Sequence, residues 1–67
     1  MSIEDIKARI DDIREVAGDD EAAHSREDEL YADFIAFVAK EPMSWGLADK
    51  AKLVLSTRDL KFERWCA

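Results

Sequence analysis

Ile3, Ile6, Ile10, Ile13 and Ala17 recur in alternating steps of three and four, and charged residues fill most of the positions between them. That spacing makes one apolar seam along an otherwise charged α-helix and predicts a first helix over residues 3–17. Ser2 is placed to cap it. Asp5, three residues on, puts a carboxylate where it reaches back to the cap and faces the positive end of the helix. Gly18 follows as a natural stop. A second stripe of Leu30, Phe34, Phe37 and Val38, widened by Tyr31 and Ile35, predicts a second helix. Two phenylalanines and a tyrosine are too apolar to leave in water, so this stripe is the expected centre of the core. Glu41-Pro42 ends it, because the residue before a proline is pushed out of helical geometry. Leu47, Ala51, Val54 and Leu55 mark a third helix that Ser44 can cap. Thr57-Arg58-Asp59 reads as a turn, with Asp59 able to cap a last short helix over Leu60–Cys66.

The chain between Gly18 and Ser25 admits two readings. Asp19 or Asp20 caps a short turn that breaks near His24, with Ser25 and Asp28 supplying a second capping signal. Alternatively, one longer helix starts at Asp20 and runs to Lys40. The spacing of Ser25 and Asp28 favours the break. Either way the pattern is all-α: one small domain, residues 1–67, folded as a compact three-helix bundle with a short C-terminal helical segment.

Sixty-seven residues stand close to the lower limit for independent folding, where small chains lean on a disulfide, a metal or a partner subunit. Cys66 is the only cysteine, so no internal disulfide forms. No cluster of histidines and cysteines suggests a structural zinc. Size alone therefore raises docking on a larger protein, or a homodimer. For the isoleucine seam the two corresponding readings are the core of its own domain and a self-association face, with isoleucines at a/d positions and charges elsewhere.

Charge narrows the partners. The chain carries 16 acidic against 10 basic residues, a formal net charge of −6. Direct nucleic-acid binding needs Lys and Arg to displace counterions from phosphate, so it is not expected. No apolar run is long enough to span a bilayer. Met1-Ser2-Ile3-Glu4-Asp5 lacks the basic start and apolar run of a signal peptide, which with a free thiol points to the cytoplasm.

The acids concentrate in Asp19-Asp20-Glu21-Ala22-Ala23-His24-Ser25-Arg26-Glu27-Asp28-Glu29, just before the apolar stretch from Leu30. Three readings stand. The block is a solvated face with favourable charge at a helix N-terminus; it steers an electropositive protein partner; or it mimics the phosphates of DNA on a nucleic-acid enzyme, although Lys7, Arg9, Arg14 and Arg26 interrupt such a row. Under the steering reading Glu27, Asp28, Glu29 and Asp33 supply the field, while Tyr31 and Trp45 are the candidate anchors.

Catalysis finds little support. There is one histidine, one cysteine and no nucleophile or phosphate-binding motif, and Cys66 reads as an apolar contact rather than a reactive thiol. Glu21, His24 and Asp28 fall at i, i+3 and i+7, a spacing related to that of di-iron bundles, but such sites need two such motifs. The alternative is that His24 helps close an interhelical turn. No metal or other cofactor is expected. Trp65 is expected to be at least half buried, and Trp45, beside Pro42, Met43 and Gly46, to be exposed.

The segment Asp20–Tyr31, with its Ala23-His24-Ser25-Arg26-Glu27-Asp28 core, and the ending Asp59–Ala67, with Phe62-Glu63-Arg64-Trp65-Cys66, resemble short uncharacterised proteins of bacteria and their phages. The resemblance covers about a third of the chain and departs from the pattern at Asp59-Leu60-Lys61. It implies no activity and no functional residue. What it implies is context: a bacterial or phage cytoplasm and an accessory protein that binds a host component.

Overall fold

The computed structural model describes residues 1–64, and within them the chain forms three α-helices: α1 (Ile3–Glu15), α2 (Asp20–Lys40) and α3 (Leu47–Leu55). A 3₁₀ turn, Ser56–Asp59, continues α3 directly. Each helix packs on the other two, giving an all-α bundle without strands among the described residues.

α1 begins as its sequence dictates. The Ser2 hydroxyl oxygen accepts from the Asp5 backbone N–H at 3.1 Å, and the Asp5 carboxylate accepts from the Ser2 N–H at 3.0 Å. This capping box satisfies two donors that the helix itself leaves unpaired. The helix ends at Glu15, and Gly18 does not take the left-handed conformation expected of it. Consecutive turns, Ala17 N–H to Arg14 O at 3.2 Å and Asp19 N–H to Val16 O at 2.8 Å, close the connection instead.

The expected break near His24 does not occur. Asp19 caps α2 through the Ala22 N–H at 3.2 Å, and the helix then runs for 21 residues. The reason lies in packing. Ala23, Glu27, Leu30 and Phe34 form one unbroken buried face, which a break at His24 would divide. That continuity outweighs the local capping preference of Ser25. α2 then stops before Pro42, with the Glu41 N–H bonded to Phe37 O at 2.8 Å.

Ser44 does not cap α3. Gly46 occupies the N-cap at φ +66°, a conformation that costs other residues about 1–2 kcal/mol, and no side chain caps the helix. The Ser44 hydroxyl instead lies 3.4 Å from Lys50 Nζ.

Ile6, Ile10 and Ile13 meet Ala23, Leu30, Phe34 and Val54 in the core, so the seam of α1 is spent inside its own domain. Ile35, expected to widen the apolar stripe of α2, and Leu55, one of the apolar marks of α3, are 68% and 60% exposed. Among the described residues, α1 covers one side of the α2–α3 pair and no helix covers the other. The short C-terminal helical segment is the Ser56–Asp59 turn. Leu60 is extended at φ −73°, ψ 143°, so the helix expected from Leu60 does not form through Arg64. The expectations for Trp65 and Cys66 fall outside the described residues.

Two measurements check this account. Ile6→Ala removes a fully buried side chain at the α1 interface and is expected to cost about 2–5 kcal/mol in urea unfolding. In the capping box, the Ser2 N–H and hydroxyl hold the Asp5 carboxyl below its ordinary 3.8. Its stabilising contribution is present above that value and lost as pH falls through the lower folded value. Asp5→Asn should therefore lower the melting temperature at neutral pH, with the gap to the parent closing in acid.

Candidate functional site

Continuing the register of Leu30 and Phe34 backwards along α2 arrives at Glu27 and then Ala23. Glu27 is accordingly 2% exposed, a carboxylate set in the apolar face of its helix. Arg64 meets it with a two-pronged contact: Nε donates to Oε1 at 2.9 Å and Nη2 to Oε2 at 3.1 Å. The same guanidinium donates to three backbone oxygens, Thr57 at 2.6 Å, Leu60 at 3.2 Å and Phe62 at 3.3 Å, and its centre lies 4.0 Å from the Phe62 ring centroid. Arginine suits this place because its planar fork matches a carboxylate while leaving other donors for carbonyls.

Thr57, fully buried, is the second node. Its hydroxyl donates to Val54 O at 3.2 Å, which leaves its oxygen to accept from the Tyr31 hydroxyl at 2.9 Å. Glu63 adds an N–H bond to the Asp20 carboxylate at 3.2 Å. Among the described residues no buried side-chain nitrogen or oxygen is left without a partner. The network ties the middle of α2 to the 3₁₀ turn and to the segment that follows it.

This placement corrects the steering role expected of Glu27. Its charge is buried and matched in place by Arg64, so it presents nothing to a partner. Tyr31 is half-buried with its hydroxyl engaged by Thr57, so it offers a ring edge rather than a free anchor. Asp28, Glu29 and Asp33 are exposed. Asp28 lies 3.2 Å from His24 Nε2, and Asp33 bridges to Arg9 of α1 at 3.0 Å. Arg26–Asp12 at 2.8 Å and Arg14–Asp11 at 2.6 Å neutralise more of the acidic surface. Such exposed pairs contribute about 0–1 kcal/mol each, yet they break any continuous row of carboxylates. His24 sits within the unbroken α2 and pairs with Asp28 one turn along the same helix. No group of His, Cys, Asp and Glu suited to a metal occurs among the described residues.

Trp45 is 94% and Met43 93% exposed in the connection between α2 and α3. The chain holds them out because Pro42 and the left-handed Gly46 bracket a tight link too short to fold back on the core. The acids at the start of α2 and Trp45 do not form one patch. A helix of 21 residues separates them, which at 1.5 Å per residue is about 30 Å in a molecule 36 Å long.

A second apolar feature lies on the bare side of the α2–α3 pair. Tyr31, Phe34, Ile35, Ala51, Val54 and Leu55 line a cleft of about 260 Å³. Its register was partly visible in the stripes of α2 and α3, but its exposure was not. Thr57 was read only as part of a turn and Arg64 only as part of the aromatic C-terminal ending, so their roles in the network were missed. The 4-3-4 spacing of Ala23, Glu27, Leu30 and Phe34 was the available signal for the burial of Glu27. Nothing in the sequence marked its partner 37 positions away.

The fold and these surfaces define an all-α bundle whose notable groups are an internal ion pair and exposed apolar side chains. Comparisons with family models, curated proteins and solved structures give no significant match.

The clamp makes a direct prediction. Arg64→Ala leaves Glu27 buried and unpaired and is expected to cost about 3–5 kcal/mol. Arg64→Lys, which cannot reproduce the fork, should restore only part of this. Thermal and urea unfolding of Arg64→Ala, Glu27→Ala and the double variant provide the check: a coupling near zero would remove the clamp.

Proposed function

We propose that this chain is a small acidic, non-enzymatic interaction protein that binds and modulates a larger protein bearing a basic surface. The exposure of Trp45 carries this reading. A tryptophan held in solvent beside an equally exposed methionine is costly to a monomer and typical of an interface anchor. The acidic α1–α2 end supplies a long-range field rather than a contact surface, so it steers approach without sharing a patch with Trp45. A cytoplasmic, phage-related accessory role is the context implied by the resemblance of the Asp20–Tyr31 and Asp59–Ala67 segments.

Two other readings lose support. Assembly through α1 would need an apolar face on that helix, and Ile6, Ile10 and Ile13 are buried in the chain's own core. Charge mimicry of DNA would need an uninterrupted row of carboxylates, and Arg9, Arg14 and Arg26 pair with Asp33, Asp11 and Asp12 across it. Among the described residues no helix is long and apolar enough to cross a membrane.

Capture from bacterial lysate at low and high salt, with Trp45→Ala as the control, tests the proposal. A stoichiometric, salt-sensitive partner whose affinity falls at least about tenfold on Trp45→Ala is the expected result. With that partner, Glu29→Lys combined with Asp33→Asn should slow association severalfold and flatten its salt dependence. Capture indifferent to Trp45 would remove the anchor, and unchanged association kinetics would remove the steering.

A further inference from the structure

Residues 60–64 are held as a bound peptide is held. We infer that the recess they fill is a docking site for an arginine-bearing segment of a partner protein, closed in this structure by the chain's own strap. The inference rests on the reading of this chain as a protein-binding module and names the chemistry of the partner, but it does not use Trp45.

Three observations choose that occupant. First, the strap alternates. Leu60, Phe62 and Arg64 are partly buried while Lys61 and Glu63 are exposed, the every-other-residue pattern by which an extended peptide is read. Leu60 and Phe62 rest on the core, and Arg64 enters the fork with Glu27. Past the turn bond from Leu60 N–H to Thr57 O at 3.0 Å, no backbone–backbone hydrogen bond among the described residues holds the strap to the helices. Its further backbone tie to α2 is the Glu63 N–H on the Asp20 carboxylate at 3.2 Å.

Second, in its polar contacts with the strap the rest of the bundle supplies acceptors only: both Glu27 oxygens, the Asp20 carboxylate and the Thr57 carbonyl. Such a set calls for a planar cation with several donors. A guanidinium provides it, and an ammonium lacks the fork. An apolar pair would pin a purely structural tail equally well, so a buried carboxylate here selects for arginine rather than for stability. Third, the strap bridges open space. A recess of about 660 Å³ lies between it, Arg58 and Asp20, so the strap lifts without a helix having to move. Asp19, Asp20 and Glu21 stand exposed at that end of α2 and draw a cationic segment towards it. The strap then acts as a competitor carried on the same chain, and a partner binds in proportion to the fraction of molecules in which it is lifted.

The test titrates the peptide acetyl-Phe-Ala-Arg-amide, and its lysine counterpart, into the full chain followed by nuclear magnetic resonance. In Arg64→Ala, where the site is vacated, the arginine peptide should shift the signals of Glu27 and Thr57 and raise the melting temperature. The parent, with its strap in place, should bind at least about tenfold more weakly. Because Arg64→Ala also weakens the fold, Arg64→Lys is the second variant: it keeps a charge for Glu27 and should fall between the two. The lysine peptide should bind either variant at least about tenfold more weakly than the arginine peptide, and Glu27→Gln in the Arg64→Lys background should lose the preference. No binding to Arg64→Lys at millimolar peptide, equal binding of the two peptides, or equal binding by parent and variants would each overturn the inference. The peptide reports on this recess alone. Its failure leaves the Trp45 anchor standing, and a lysate partner indifferent to Trp45→Ala leaves this site standing.

Discussion

The fork between Glu27 and Arg64 is what ties the segment after the 3₁₀ turn to the three-helix bundle. A carboxylate at 2% exposure is strongly unfavourable unless its charge and its lone pairs are both met. Arg64 meets them through Nε and Nη2, while Nη2 also reaches the carbonyls of Thr57 and Leu60 and Nη1 that of Phe62. Residues 60–64 have no helix or sheet of their own to hold them. Their order comes from this guanidinium, from the contact between Glu63 and Asp20, and from the packing of Leu60 and Phe62 on the core. Replacing the pair by apolar residues of similar volume would suit the core as well. An ion pair adds direction, because only one path of the chain brings all five acceptors to the same fork.

That arrangement changes how the acidic character of the chain is understood. The densest run of carboxylates surrounds a residue that contributes no surface charge, while Arg9 of α1 answers Asp33 and Arg26, within the run, pairs with Asp12 of α1. What remains is a field at one end of the molecule and an exposed tryptophan at the other. The apolar surface is likewise divided. α1 spends its isoleucines within the bundle, whereas α2 and α3 keep Ile35 and Leu55 outside it because no fourth helix among the described residues covers them. The two surfaces, one loop and one cleft, are suited to different contacts.

Much of the frame was legible in the residues themselves. Ser2 and Asp5 announced a capping box, the isoleucine spacing marked the buried face of α1, and Pro42 marked the end of α2, all through interactions within a few residues. The readings that failed were those in which a local preference met a distant one. Ser25 offered a cap, but the continuous face from Ala23 to Phe34 held the helix straight through it. Ser44 was well placed to cap α3, yet the cap falls two residues later, on Gly46. Glu27 was taken for surface charge because carboxylates usually are, and the arginine that reverses this lies far along the chain. The exposure of Ile35 and Leu55 was hidden for a related reason: periodicity shows which face is apolar, not how many neighbours there are to cover it.

The state of the Arg64 side chain in solution decides whether the clamp exists. In the nuclear magnetic resonance spectrum of the full chain, the Nε–H of Arg64 should exchange slowly with water, shift under the Phe62 ring current, and show contacts to Thr57 and to protons of α2 near Glu27. An averaged guanidinium signal, exchanging freely and without contacts to α2, would contradict the account, leaving Glu27 without the partner on which its burial rests.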